Sequence, residues 1–161
     1  MNIGKAEVFK INKFKSSFRG KYFFLSNFYN SPMYFEGTYY LNAESAYQSC
    51  KLKNIYMRRA FSFLTPSQAK EQGRNLIIRD DWEDVKVQYM YRIIREKFKD
   101  KTLRMKLLLT GNENLVEYNT WGDRFWGVYK GKGENMLGKI LMRVRNEIRG
   151  EMIGSKRRKQ N

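Results

Sequence analysis

The sequence predicts an α+β fold, predominantly helical, in which short N-terminal β-strands pack on a multi-helix core. Three observations predict it. The first 40 residues are rich in aromatics and poor in helix signals. From Asn42 onward, capping residues and apolar repeats at three and four residues recur. The 161 residues, 42% of them hydrophobic, bury one core and require no second. A single domain is therefore expected over residues 1–150, with 151–161 as a basic C-terminal tail ending Ser155-Lys156-Arg157-Arg158-Lys159-Gln160-Asn161.

Each element has its own warrant. Phe9 and Ile11 alternate with charge, and Tyr22-Phe23-Phe24-Leu25 and Met33-Tyr34-Phe35 flank turn residues, so short strands are expected there. Asn42 can cap a helix. Thr65-Pro66-Ser67-Gln68 has both the proline position and the capping-box spacing for the next, which closes near Gly73. Asp80-Asp81-Trp82-Glu83 opens a helix whose Val87, Met90, Ile94 and Phe98 recur at three and four residues; Asp100 starts another, with Leu103 and Leu107, that ends at Gly111. In the last helix Leu137, Ile140, Leu141, Val144 and Ile148 form one stripe bounded by Gly150, and Lys139, Arg143 and Arg149 point elsewhere.

Charge and missing residue types narrow the function. Lys and Arg number 32 against 16 acids, a formal charge of +16 and a pI near 10.0, so the surface attracts phosphates and a nucleic acid or polyphosphate partner is expected. There is no histidine, which excludes a Ser-His-Asp triad, a Cys-His pair and a histidine zinc site. The lone Cys50 forms no internal disulfide; it fits a reducing cytosol and a small core position. No apolar run approaches the roughly 18 residues of a membrane span, and nothing resembles a signal peptide. A cytoplasmic protein without a membrane partner is expected. No metal or redox cofactor is implied, and no pattern separates a monomer from an oligomer.

Two segments carry chemistry. Trp121-Gly122-Asp123-Arg124-Phe125-Trp126-Gly127, continuing through Gly131-Lys132-Gly133-Glu134-Asn135 to Leu137-Gly138, sets two indoles, a carboxylate and a glycine-rich turn ahead of a helix, as a pocket for a flat, phosphorylated ligand needs. Asp123 beside a glycine is also the residue that bonds its own backbone in a turn. In the helix after Asn42, at about 100° per residue, Glu44, Gln48 and Lys51 fall within one arc, away from Ala43, Ala46, Tyr47 and Cys50. That spacing serves equally for a solvated ladder, and lysine chemistry requires burial to lower its pKa. Trp82 at a helix start is a core anchor or a stacking ring. Ser26-Asn27-Phe28 is at least a turn.

Taken in order, Phe18-x-Gly20-x-Tyr22-x-Phe24-Leu25-Ser26-Asn27-Phe28, Ala43-Glu44-x-x-Tyr47-Gln48-x-x-Lys51, Ala69-Lys70-x-x-Gly73-Arg74, Trp82-x-x-Val85-Lys86, and Trp121-Gly122-Asp123 through Gly133-Glu134-Asn135-x-Leu137-Gly138-x-Ile140-Leu141-Met142 resemble the NADAR family, the YbiA-like N-glycosidases. The resemblance spans about residues 18–149. It implies hydrolysis of the bond between ribose C1′ and a nitrogen. Family members are associated with phosphoribosyl-amino intermediates of riboflavin synthesis, and others with removing ADP-ribose from guanine bases of nucleic acid. Carried over by position, Glu44, Lys51 and Asp123 are the catalytic candidates. Asn27, Phe28, Gln48, Arg74, Trp82, Trp121, Gly122, Trp126, Asn135, Leu137 and Gly138 are the substrate-binding candidates. Ser45 stands where many relatives put a histidine, so no ring acts there.

The chemistry needs no histidine. Breaking a ribosyl C–N bond develops positive charge at C1′ and negative charge on the leaving nitrogen, so a carboxylate and a proton donor suffice, roles that Glu44 and Asp123 can divide. The family resemblance adds a Schiff-base route through Lys51. The charge of +16 favours ADP-ribosylated nucleic acid over a small phosphoribosyl metabolite. A non-catalytic nucleic-acid or ADP-ribose binding module is the rival, and it leaves acids in a phosphate-binding patch unexplained.

Overall fold

The computed structural model describes residues 18–158, and Phe9 and Ile11, read above as strand, lie outside them. The fold is α+β and mostly helical. The described chain falls into two compact units: Ser26–Leu103, and residues up to Leu25 together with those from Arg104 onward.

In the Ser26–Leu103 unit, β1 (Asn30–Phe35) and β2 (Thr38–Asn42) form an antiparallel hairpin in which Tyr34 faces Tyr39 and Phe35 faces Thr38. The hairpin turn places both Glu36 (φ 45°) and Gly37 (φ 81°) in the left-handed region, as a two-residue turn matched to strand twist requires. Glu36 is held there by Arg58 and Arg92, each 2.5 Å from its carboxylate. Met33, Phe35 and Tyr40 are buried on one face. The chain then enters α1 (Ala43–Ser49), where the Asn42 side chain accepts from Ser45 N–H at 2.8 Å and donates to the Leu64 carbonyl at 3.0 Å. Every residue of α1 is buried.

A 3₁₀ segment, Met57–Phe61, leads to α2 (Pro66–Arg74), which carries the expected capping box between Thr65 and Gln68 with Pro66 in the first turn. In α3 (Trp82–Lys97), Met90, Ile93 and Ile94 supply the buried face. Asp100 caps the start of α4 (Lys101–Leu109) by accepting from Leu103 N–H at 2.8 Å.

In the other unit, Tyr22-Phe23-Phe24-Leu25 is not the strand expected above. Gly20–Leu25 is a 3₁₀ helix, entered from Gly20 at φ 55°, with Tyr22 N–H bonded to the Arg19 carbonyl at 3.0 Å. The reason is visible in the burial: neighbouring Phe24 and Leu25 are both inside, whereas a half-buried strand would alternate. After α4, β3 (Tyr118–Asn119) pairs in parallel with β4 (Val128–Tyr129). The final helix, α5 (Met136–Arg158), buries Leu137, Ile140, Leu141, Val144 and Ile148 as predicted. Arg145 crosses from it to Thr110 Oγ1 (2.8 Å) and the Glu113 carbonyl (2.9 Å), and Arg149 reaches the Gly111 carbonyl (2.7 Å).

The end of α5 is a second correction. Gly150 does not stop the helix, which continues to Arg158 and takes in part of the expected tail. An interior glycine costs about 1 kcal/mol relative to alanine, but it ends a helix only by turning left-handed, and Gly150 does not. Among the described residues no helix is long and apolar enough to cross a membrane.

Candidate active site

One helical turn separates Glu44 from Gln48 on α1, and the Gln48 amide Nε2 donates to Glu44 Oε1 at 2.8 Å. Both residues are buried. Backbone bonding fixes the turn beneath them, since Glu44 N–H donates to the Asn27 carbonyl at 3.1 Å. Lys51 stands just past the helix end rather than on it. Its N–H donates to the Gln48 carbonyl at 3.3 Å, so the chain keeps the helical sense for one more step. The Lys51 ammonium donates to the Gly73 carbonyl at 3.3 Å.

Burial is the largest influence on Lys51 and pulls its pKa below the usual lysine range; the Glu44 carboxylate pulls it back up, and Arg74 adds to the lowering. Burial thus enlarges the neutral fraction of this lysine, and the Glu44 carboxylate lies within its electrostatic reach. Arg74 itself is exposed at the end of α2.

Gly73, absent from the residues singled out by sequence, is a structural condition of this arrangement. A Cβ there would lie 1.9 Å from Gln48 Oε1. It supplies both the space for the Gln48 amide and the acceptor for Lys51. Its motif, Ala69-Lys70-x-x-Gly73-Arg74, was the available signal.

Asn27 is buried, with Nδ2 on Met90 Sδ at 3.4 Å. Its Oδ1 and Gln48 Oε1 are buried acceptors without a hydrogen-bond partner among the described residues. Phe28 is half-buried, with the Lys70 ammonium 5.7 Å from its ring centroid. The turn bearing both is anchored by Lys97, whose ammonium donates to the Ser26 carbonyl at 2.7 Å. Lys97 is 2% exposed, and burial pulls its pKa down to about 7. The sequence did carry a signal for it: Met90, Ile94 and Lys97 follow the apolar spacing of α3, so a lysine stands where the stripe turns inward.

Trp82 is a packing ring: it is 5% exposed and lies 5.2 Å from Tyr47 between centroids. It supports α1 through Tyr47.

In the second unit, Asp123 Oδ1 accepts from the N–H groups of Phe125 and Trp126, both at 2.9 Å. Asn119, also missed by sequence, closes the loop from below: its Oδ1 accepts from Asp123 N–H (3.0 Å) and its Nδ2 donates to the Asp123 carbonyl (2.6 Å). Gly122 sits at φ 91°. Trp121 is 56% exposed, while Trp126 is half-buried with its ring edge-on to Phe125 at 4.9 Å. Asn135 is spent on the backbone, accepting from Glu117 N–H (3.0 Å) and donating to the Leu115 carbonyl (2.9 Å). A Cβ on Gly138 would lie 2.1 Å from that same carbonyl, so this glycine permits the close approach of α5 to the chain at Leu115. Leu137 is core. Asn135, Leu137 and Gly138 build the start of α5.

The family model described as the NADAR domain matches residues 13–149. The chain belongs to the NADAR family. It is 36% identical over 128 residues to the N-glycosidase YbiA of Shigella flexneri serotype 5b, covering 76% of this chain and 79% of that protein. A riboflavin biosynthesis protein of Vibrio vulnificus is 37% identical over 130 residues, but the match takes in 78% of this chain and 35% of that protein. Among solved structures, the NMR structure of Escherichia coli YbiA is similar with a TM-score of 0.75 and 33% identity, over 85% of this chain and 84% of that one. The NADAR match covers both compact units, and the α1 stripe and the Trp121–Trp126 loop both lie within it.

Proposed function

We propose that this NADAR protein is an N-glycosidase that cleaves the ribose C1′–N bond of a phosphorylated ribosyl substrate, removing ADP-ribose from guanine bases of nucleic acid, with Lys51 as nucleophile. The observation that carries the reading is the Lys51 amine, half-buried, depressed in pKa and set beside Glu44. The similarity to N-glycosidases supports the bond type.

In this scheme Glu44, having taken a proton from Lys51, gives it to O4′ as the C1′–O4′ bond opens. The neutral Lys51 amine adds to C1′, and its surplus proton passes to Glu44. The C1′–N bond then breaks, and its electron pair leaves with the base, which takes that proton from Glu44. The result is a C1′=N Schiff base to Lys51. Water adds to C1′ with Glu44 as base, and the carbinolamine collapses to the free sugar and the free amine. The sum is one water consumed, with one sugar and one protonated base released.

Arg74 and Lys70 are the nearby cations for substrate phosphate. The buried acceptors Gln48 Oε1 and Asn27 Oδ1 suit hydroxyl donors of the ribose. Asp123 serves by building the turn that carries the two indoles.

The excess of 32 basic over 16 acidic residues favours the nucleic-acid substrate. The name of the Vibrio relative keeps a second reading, a phosphoribosyl-amino pyrimidine of riboflavin biosynthesis. Incubation with an ADP-ribosylated guanine oligonucleotide and with the phosphoribosyl pyrimidine, side by side, tests the choice. The first should release ADP-ribose in a reaction that slows steeply with added salt. Turnover of the pyrimidine alone, insensitive to salt, would overturn the nucleic-acid reading.

A further inference from the structure

The solvent face of the β1–β2 hairpin is aromatic where a two-stranded sheet would ordinarily be polar. Tyr34 and Tyr39 are direct cross-strand partners on that face, 64% and 41% exposed. Phe63, 77% exposed, continues the row with its ring centroid 6.4 Å from Tyr39. The row is built: Ser62 Oγ donates to the Tyr39 carbonyl at 2.6 Å, and the Leu64 carbonyl accepts from Asn42 Nδ2 at 3.0 Å and Ser45 Oγ at 3.1 Å. Phe63 is thereby fixed between a strand and the first turn of α1, the helix that carries Glu44. Just before the 3₁₀ segment Met57–Phe61, exposed Tyr56 has the Arg59 guanidinium 5.7 Å from its ring.

A cross-strand tyrosine pair stabilises a hairpin, but a phenylalanine three-quarters exposed gains almost nothing from its position. Rings in a row need a partner with flat apolar faces. The charge of +16 selects a polyanion and opposes a second copy of the same chain. Unpaired nucleic acid meets both conditions, because every base has a π-face and duplex structure hides it.

We propose that Tyr34, Tyr39 and Phe63 form a stacking platform for unpaired bases of a single-stranded nucleic acid, beside the α1 site. It rests on the nucleic-acid reading above and specifies the strand state of that substrate.

Fluorescence anisotropy with unmodified labelled oligothymidylate, about 12 nucleotides long, tests the platform without requiring catalysis. The wild type should bind the single strand more tightly than a duplex of the same length. Phe63→Ala alone should weaken binding, and the combined Tyr34→Ala, Tyr39→Ala, Phe63→Ala variant should weaken it by about tenfold or more, with the salt dependence unchanged because the phosphate contacts remain. Phe63→Trp should restore it. Hydrolysis of an ADP-ribosylated guanosine mononucleoside, measured in parallel, should be equal in the variant and the wild type.

Single-strand binding unaffected by the triple variant, or equal affinity for duplex, would overturn the platform. So would sedimentation showing a self-associated wild type that the triple variant dissolves. Platform-dependent binding in a protein that hydrolyses neither ADP-ribosylated substrate would instead sink the functional reading and leave the platform standing.

Discussion

Two carboxylates in this molecule illustrate opposite uses of the same group. Glu44, on a rigid buried helix, is bonded through one oxygen to a side chain, Gln48, and stands within electrostatic reach of a half-buried lysine. Asp123, in a glycine-bounded loop, spends one oxygen on two backbone N–H groups and shapes the chain that carries Trp121 and Trp126. Acid residues in motifs of similar strength thus divide into one whose neighbours are side chains, Gln48 and Lys51, and one whose neighbour is its own backbone. The sequence alone left Glu44 between chemistry and a solvated ladder, and Asp123 between chemistry and a bond to its own backbone.

The difference is sharpened most by substitutions at the stripe. Lys51→Met should reduce the rate by about 10³-fold or more while the protein remains folded, read by single-turnover hydrolysis and circular dichroism. Glu44→Gln keeps the bond to Gln48 in shape but removes the proton relay, and kcat/KM should fall by about 10²–10⁴-fold. Wild-type rates for Glu44→Gln would erase the contrast with Asp123.

Next comes the space beneath Gln48. Gly73→Ala forces a methyl to within 1.9 Å of Gln48 Oε1 and should cost about 1–3 kcal/mol in denaturant melts, with a loss of rate that Gly73→Ser does not repair.

The pH dependence carries a sign. With the neutral Lys51 amine as the proposed nucleophile, kcat/KM should rise with pH through a midpoint below the free lysine value of about 10.4. Since Arg74 lowers that midpoint, Arg74→Ala should move the profile toward higher pH. Lys97 gives a stability counterpart. Its folded pKa, about 7, lies below its unfolded one, so the unfolded chain binds more protons between those values. Unfolding free energy should therefore rise with pH across that window, and Lys97→Met should flatten the rise.

The smallest effect is expected at Asp123→Asn. The amide oxygen can still accept from Phe125 and Trp126, so the rate should stay within about tenfold of wild type. Asp123→Ala, which loses both bonds, should destabilise the loop by about 1–2 kcal/mol in the same melts. A collapse of activity in Asp123→Asn with the fold intact would return the carboxylate to the chemistry.

What the sequence displayed was local. The Asn42 cap, the Thr65–Gln68 box and the α5 stripe all depend on contacts within four residues, and all are present. What it concealed depends on distant partners or on a conformation that composition does not select. Tyr22–Leu25 has strand composition but adjacent buried positions, and it coils into a 3₁₀ turn. Gly150 carries a stop signal that acts only in a left-handed conformation it does not adopt. The bond of Asn135 to the Leu115 carbonyl, and the close approach of Gly138 to the same group, join segments about 20 residues apart along the chain and have no local signature. The sequence sets Lys51 on the stripe of α1, whereas the residue lies just past the helix end; its partial burial and its bond to the Gly73 carbonyl, 22 residues along the chain, are not local properties.

The central claim is that Lys51 is the group that bonds to C1′. Borohydride added during turnover of an ADP-ribosylated guanine substrate, followed by peptide mass spectrometry, measures this directly. A reduced ribosyl adduct on Lys51, absent in Lys51→Arg, is the predicted result. Full turnover with unmodified Lys51 under the same trapping conditions would contradict it and transfer the attack to water.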